Sequence, residues 1–153
     1  MASAAEVQAL KAAPQEAKAV LDKLSRFLLA CSQDPGSATL THYIVAQALQ
    51  FPNLARLAYE EGWLGGVRAV APLLEVMAAR GQIAVDDVEI AADLFLNLVP
   101  GRSSKQALYG IQGDPEAQEK RCRAAVALFL AGVRPQRQGR PRRAGVPSQA
   151  EPT

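Results

Sequence analysis

Cysteine and histidine, which supply most metal ligands and many nucleophiles, are nearly absent from this sequence. Its 153 residues include two cysteines and one histidine. Cys31 and Cys122 lie far apart and form no CxxC pair, so neither a zinc site nor a disulfide framework is expected. We interpret both as buried thiols. The sequence predicts no metal and no cofactor.

β-branched residues are also scarce. Valine, isoleucine and threonine together number 19, whereas the chain has 29 alanines and 18 leucines. Alanine and leucine favour helices, so an all-α domain is expected and an all-β sandwich or barrel is disfavoured. The length allows one sizeable hydrophobic core.

Long hydrophobic runs are missing as well. No apolar stretch approaches the roughly 20 residues that a membrane span requires. The first residues have no basic segment followed by an apolar one, as a signal peptide would have. The sequence therefore predicts a cytoplasmic protein without a membrane anchor.

Positive charge is concentrated at the C-terminal end. The formal net charge is +2, but residues 134–153 contain five arginines against one glutamate. Four prolines and very few apolar residues in the same segment predict a disordered tail, from about Gln136 onward. A solubilising role is favoured over nucleic-acid binding, because no aromatic residues alternate with the arginines.

Helix-start signals divide the rest of the chain into about six helices, expected to form an antiparallel bundle. Ser37 is expected to cap the second helix. Asp86 and Glu89 have the D-x-x-E spacing of a capping box. Asp114, followed by proline at the first helical position, is expected to cap the last helix.

Proline and glycine predict where these helices bend or stop. Phe51-Pro52 predicts a break, because a residue before proline avoids helical geometry. Pro72 is expected to kink its helix without ending it, since the apolar period continues on both sides. Gly81 then occupies the position just beyond the helix end. Residues 101–113 are expected to form a long connection with one turn.

Constellations that could support catalysis are absent. His42 has no cysteine or acid close by on its helix, so a catalytic triad is disfavoured. Gly65-Gly66 lacks a Walker lysine, and Gly110 and Gly113 follow no strand, so neither pair predicts a phosphate loop. We therefore expect a protein that is not an enzyme.

The last helix has more apolar surface than a small bundle requires. It is nearly apolar all round over residues 124–133, which predicts burial on more than one side. Two explanations remain open from the residues alone. The excess apolar surface lines an internal cavity for a ligand, or it pairs with a second copy of the chain.

Four sequence blocks, taken in order, resemble the C-terminal domain of TetR-family transcriptional regulators. The likeness is greatest to the AefR-like group and covers roughly Leu21 to Pro135. The blocks are FPNLARLAYEEG (residues 51–62), AARGQI (78–83), DDVEIAADLFL (86–96) and RAAVALFLAG (123–132).

The resemblance implies a repressor domain that dimerises and binds a small hydrophobic effector. On this basis we divide the chain into three parts: an N-terminal helical lead-in (1–20), an effector-binding and dimerisation domain (21–133) and the tail (134–153). The implied homodimer interface lies on the last two helices and comprises Leu94, Leu98, Arg121, Ala125, Leu128 and Phe129. The implied ligand pocket comprises Phe27, Tyr43, Ala46, Trp63, Val67, Val70 and Met77.

The sequence departs from the resemblance at its start. Family members begin with a helix-turn-helix head that binds DNA, whereas about 20 residues precede the first helix here and none forms a basic recognition helix. Operator binding is therefore not expected of this chain. The alternative function is that of a stand-alone helical protein, which pairs with a full-length regulator and titrates it.

Overall fold

The computed structural model describes residues 16–135, and over this range the chain is helical without strands. A π-helical turn, Tyr59–Trp63, joins the third and fourth helices. The α-helices are α1 Ala17–Ser32, α2 Pro35–Ala46, α3 Pro52–Ala58, α4 Leu64–Ala79, α5 Val88–Leu98, α6 Gly101–Leu108 and α7 Pro115–Gly132. The predicted all-α class is confirmed. The predicted tail from Gln136, and residues 1–15 of the lead-in, lie outside the described range.

One segment predicted as a connection is a helix. Residues 101–108 form α6, where the sequence predicted a single turn within a long loop. Few apolar residues mark this segment, so its periodicity is weak. With α6, residues 16–135 contain seven α-helices, close to the predicted number of about six. Helix α6 packs beside α2.

Aspartates begin three of the helices. Asp34 accepts a hydrogen bond from the backbone N–H of Ser37 at 2.7 Å, so Asp34 is the cap of α2 and Ser37 lies inside the helix. Asp87, one residue after the predicted Asp86, accepts from two backbone N–H groups at the start of α5. The prediction for Asp114 is confirmed, because its carboxylate accepts from the N–H of Ala117 at 2.8 Å.

Glycine ends two helices in left-handed geometry. Gly81 has φ 69° and Gly110 has φ 67°. At the end of α4, the N–H groups of Gly81 and Gln82 donate to the carbonyls of Ala78 and Met77. This is the hydrogen-bond pattern that closes a helix on a left-handed residue, and it confirms the role predicted for Gly81.

The break predicted at Phe51-Pro52 is confirmed, since α3 begins at Pro52. From there the chain continues through the π-helical turn directly into α4. Pro72 lies inside α4 without ending it, as predicted. The side chain of Trp63, in the π-helical turn, donates a 2.7 Å hydrogen bond to Asp93 on α5.

Four helices build the hydrophobic core. Their fully enclosed side chains are Leu21 of α1, Leu73 and Leu74 of α4, Phe95 of α5, and Cys122 and Val126 of α7. The side chains of Arg26 and Glu119 pair at 3.6 Å between α1 and α7. At the other end of α7, the carbonyl of Val133 accepts from the N–H of Ala84 at 2.7 Å.

Helices α2 and α3 contribute no buried residue to this core. Several of their large apolar side chains are exposed: Leu40, Tyr43, Val45, Leu54 and Leu57. Within residues 16–135, no helix is both long enough and apolar enough to cross a membrane.

Candidate functional site

A cavity of about 810 Å³ lies between the end of α1, α2, α6 and the start of α7. Its walls come from these helices and from the turn that follows α6. The lining residues are Ser32, Gln33, Pro35, Ala38, Thr39, His42, Ser103, Ala107, Leu108, Tyr109, Gly110, Ile111, Gln112, Gly113, Pro115 and Gln118. Sites for small molecules typically have about 300–1,000 Å³, so this cavity is large enough for a ligand of two or three rings.

The lining of the cavity carries no aspartate, glutamate, lysine or arginine. Hydroxyl, amide and imidazole groups alternate with proline, alanine, leucine and isoleucine side chains. Tyr109, which is 81% exposed, lies at the rim. The cavity therefore offers hydrogen bonds and apolar contact without a fixed charge.

Gln118 and Ser103 are the buried polar residues of the lining. The side chain of Gln33 donates a hydrogen bond to Gln118, which joins the end of α1 to the start of α7. Gly113 lies so close to Gln118 that a Cβ atom at this position would overlap the amide group. The turn after α6 can thus approach α7 because residue 113 has no side chain.

His42 connects α2 to the end of α6. Its ring Nδ1 lies 3.0 Å from the carbonyl oxygen of Leu108. Because a carbonyl only accepts, Nδ1 is assigned the proton, and Nε2 is then an acceptor in the neutral ring. The one histidine of the chain thus lies on the cavity wall, although the sequence predicted no binding role for it.

The predicted pocket residues lie elsewhere, and none of them lines this cavity. Val67, Val70 and Met77 are at most 7% exposed and belong to the core. Trp63 packs against the core, Phe27 is half-buried, and Tyr43 and Ala46 are exposed on α2. Their part in ligand binding stays a prediction.

Reasoning from sequence missed this cavity because two of its walls carry weak signals. The sequence predicts only a long connection with one turn for residues 101–113, which comprise α6 and the turn that follows it. The interpretation of the second wall, α2, rests on its larger apolar residues, whereas Pro35, Ala38, Thr39 and His42 line the cavity. The glycines at 110 and 113 were the available signal of a close approach.

A second feature is an exposed apolar surface on α5 and α7. Ile90 and Leu94 on α5 are 60% and 58% exposed, and Leu128 on α7 is 64% exposed. We call these three side chains the α5/α7 surface. Exposed apolar side chains mark sites of association where they form a contiguous patch.

Three of the six predicted interface residues are exposed, and the other three are buried or half-buried. Leu94, Arg121 and Leu128 are exposed, and Leu98 is half-buried against the core. Ala125 and Phe129 are buried inside their own chain, at 7% and 8% exposure. The side chain of Phe129 is therefore occupied by contacts within the chain.

Cys122 is a buried thiol on α7, 2% exposed. Burial raises its pKa above the ordinary 9.0, an effect that a hydrogen bond with Ser25 partly offsets. Cys31 is half-buried, and both cysteines are free. Across residues 16–135, no group of histidine, cysteine and acidic side chains has the arrangement of a metal site.

Comparison with known proteins identifies the family. The C-terminal domain of AefR-like transcriptional repressors matches residues 19–132. No curated protein matches the chain significantly.

Two solved structures share the fold. One is described as a TetR-family transcriptional regulator from Mesorhizobium loti MAFF303099, with a TM-score of 0.77 and 24% identity over 84% of this chain. The other is the flavonoid-responsive regulator FrrA, with a TM-score of 0.70 and 27% identity over 87% of this chain.

The chain spans 64% of the Mesorhizobium protein and 71% of FrrA. The matched family consists of transcriptional regulators and not of enzymes. This chain belongs to the TetR family of transcriptional regulators, within which its residues 19–132 are an AefR-like C-terminal domain.

Proposed function

We propose that this domain forms a homodimer through α5 and α7 and makes repression of a promoter dependent on a small-molecule effector. The dimer part rests on the α5/α7 surface. The effector part rests on the cavity at the start of α7. Operator binding is not assigned to residues 16–135.

The α5/α7 surface is the observation that carries the dimer. Leu94 and Leu128 each expose more than half of their surface, and burying one such side chain contributes about 1.5–3 kcal/mol. Around Leu128 the outer face of α7 consists of small, exposed residues, which let a second helix approach closely: Ala124, Ala127 and Ala131. A copy of the same surface is complementary to it under twofold symmetry.

The position of the cavity links an effector to the dimer. Pro115 and Gln118 line the cavity, and they lie in the first turn of the helix that carries Leu128. A ligand that prefers one placement of this turn shifts the placement of α7 against its partner, since binding favours the state with the better contacts. The name of FrrA, a flavonoid-responsive regulator, supports a small organic molecule as effector.

Sedimentation velocity of charge-substituted variants tests the dimer. Leu128→Glu, alone and with Leu94→Glu, is expected to shift the chain from dimer to monomer at micromolar concentration, because an unpaired carboxylate opposes burial. Both variants are expected to retain their helical circular dichroism, since both positions are exposed within one chain.

The matched control is Leu40→Glu. Leu40 is 60% exposed on α2, outside the α5/α7 surface, so this variant is expected to remain dimeric. A wild-type chain that sediments as monomer contradicts the proposed dimer. A dimer that survives Leu94→Glu/Leu128→Glu contradicts the proposed surface.

A further inference from the structure

We propose that the cavity between α1, α2, α6 and α7 selects a neutral ligand with an apolar body and a hydroxyl group, and that Ser103 recognises the hydroxyl. This inference rests on the proposed effector function and specifies its chemistry. It adds a polar group to the small hydrophobic effector that the family resemblance implied.

The absence of charged side chains from the lining disfavours ionic ligands. None of the sixteen lining residues is acidic, lysine or arginine. A carboxylate or ammonium group in this cavity would lose water and gain no opposite charge, which is strongly unfavourable. The lining therefore favours uncharged ligands over charged ones of the same shape.

Ser103 is a buried residue of the lining whose hydroxyl is available to a ligand. It is 6% exposed and lines the cavity from α6. Two neighbouring hydroxyls already donate, that of Ser32 to the carbonyl of Leu29 and that of Thr39 to the carbonyl of Pro35. Among residues 16–135, by contrast, no group is hydrogen-bonded to the Ser103 hydroxyl.

The Ser103 oxygen faces the open space of the cavity. Over the described part of the chain, no fully enclosed side-chain oxygen or nitrogen lacks a hydrogen-bond partner. An unpartnered hydroxyl in a buried residue must therefore remain accessible, and the cavity is the space that Ser103 borders. A ligand hydroxyl placed there would satisfy a polar group that otherwise depends on water.

His42 complements Ser103 with an acceptor. Its Nδ1 donates to the carbonyl of Leu108, which leaves Nε2 as an acceptor in the neutral ring. Ser103 can donate or accept, so the lining offers both a donor and acceptors to a neutral polar group. Ala38, Ala107 and Ile111 supply the apolar contacts for the body of the ligand.

Three benzophenones that differ only in their para substituent test the chemistry of the cavity. The probes are 4-(hydroxymethyl)benzophenone, 4-methylbenzophenone, which lacks the hydroxyl, and 4-benzoylbenzoate, which carries a carboxylate in place of the hydroxymethyl group. Isothermal titration with the full chain is expected to give the highest affinity for the hydroxymethyl compound. Loss of the hydroxyl is expected to weaken binding about tenfold, and the carboxylate is expected to weaken it further.

Ser103→Ala separates recognition from structure. This variant is expected to lose most of the about tenfold preference for the hydroxymethyl probe, because the ligand hydroxyl then lacks its Ser103 partner. Ser104→Ala is the matched control: Ser104 is the next residue of α6 and does not line the cavity, so the ratio is expected to persist. A ratio unchanged by Ser103→Ala overturns the assignment, as does tighter binding of the carboxylate probe.

The outcome for the ligand is separable from the outcome for the dimer. If the wild-type chain sediments as a dimer but binds none of the three probes, the inference fails and the dimer proposal stands. If the chain is monomeric and discriminates the probes through Ser103, the inference stands and the dimer proposal fails.

Discussion

The rings of Phe95 and Phe129 meet edge to face, with centroids 5.0 Å apart and planes at 68°. This contact joins α5 to α7 inside one chain. The residue before each phenylalanine is an exposed leucine, Leu94 on α5 and Leu128 on α7. The same two helices therefore hold the core with their aromatic side chains and carry leucines on their outer surface.

Loss of the Phe129 ring is expected to destabilise the single chain. Phe129→Ala removes a buried aromatic side chain and its contact with Phe95, so the free energy of unfolding is expected to fall by about 3–5 kcal/mol. Urea denaturation followed by circular dichroism measures this change. Leu40→Ala, at an exposed position, is expected to stay within about 0.5 kcal/mol of wild type. Similar values for the two variants would place Phe129 outside the core.

The hydrogen bond from Trp63 to Asp93 is expected to stabilise the junction of the π-helical turn with α5. Asp93→Ala leaves the indole N–H without its acceptor and is expected to lower the free energy of unfolding by about 1–3 kcal/mol. Trp63 is the only tryptophan, so its fluorescence emission reports the change directly. In a double-mutant cycle with Trp63→Phe, additive effects would contradict a direct interaction.

Gly81→Ala tests the left-handed end of α4. A side chain at φ 69° is strained, so the variant is expected to lose about 1 kcal/mol of stability. Gly132 is the matched control, because it ends α7 without a left-handed φ and a Cβ there meets no atom within 4 Å. Gly132→Ala is expected to be neutral or slightly stabilising. Equal melting temperatures for the two variants would contradict this reasoning.

The buried thiol of Cys122 predicts a loss of stability in alkaline solution. Burial raises its pKa above 9.0, so the folded chain holds this proton more tightly than the unfolded chain. The resulting stability is present below about pH 9.0 and declines as the pH rises through the pKa of the folded thiol. Cys122→Ala is expected to reduce the alkaline decline in melting temperature, whereas Cys31→Ala is expected to retain it. A Cys122→Ala variant with an unchanged pH profile would refute the prediction.

The fold was largely predictable because its main helices carry strong local signals. Asp114-Pro115 starts α7 and Gly81 ends α4, as their residue types indicate. Two predicted caps, Ser37 and Asp86, were wrong. The helices are capped instead by nearby aspartates, Asp34 and Asp87. Where two polar residues could cap the same helix, backbone geometry decides which of them does so, and a residue pattern does not specify that geometry.

The cavity was less predictable than the fold. Its key groups, Ser103, His42 and Gln118, come from three helices, of which α2 is far from α6 and α7 in the sequence. Each residue alone has an ordinary explanation as a surface or helix residue. Only the packing of α6 beside α2 and α7 gives them a common role, and the sequence did not predict α6.

Helices α2 and α3 have no buried side chains, and this predicts low local stability for that part of the domain. From residue 26 to residue 66 no position is fully buried, so opening this segment exposes little apolar surface that the core protects. Such segments form the least stable cooperative unit of a protein, and their backbone amides exchange with solvent first. Since α2 is one wall of the cavity, the proposed effector would lie beside the part of the chain that has the least buried surface to protect it.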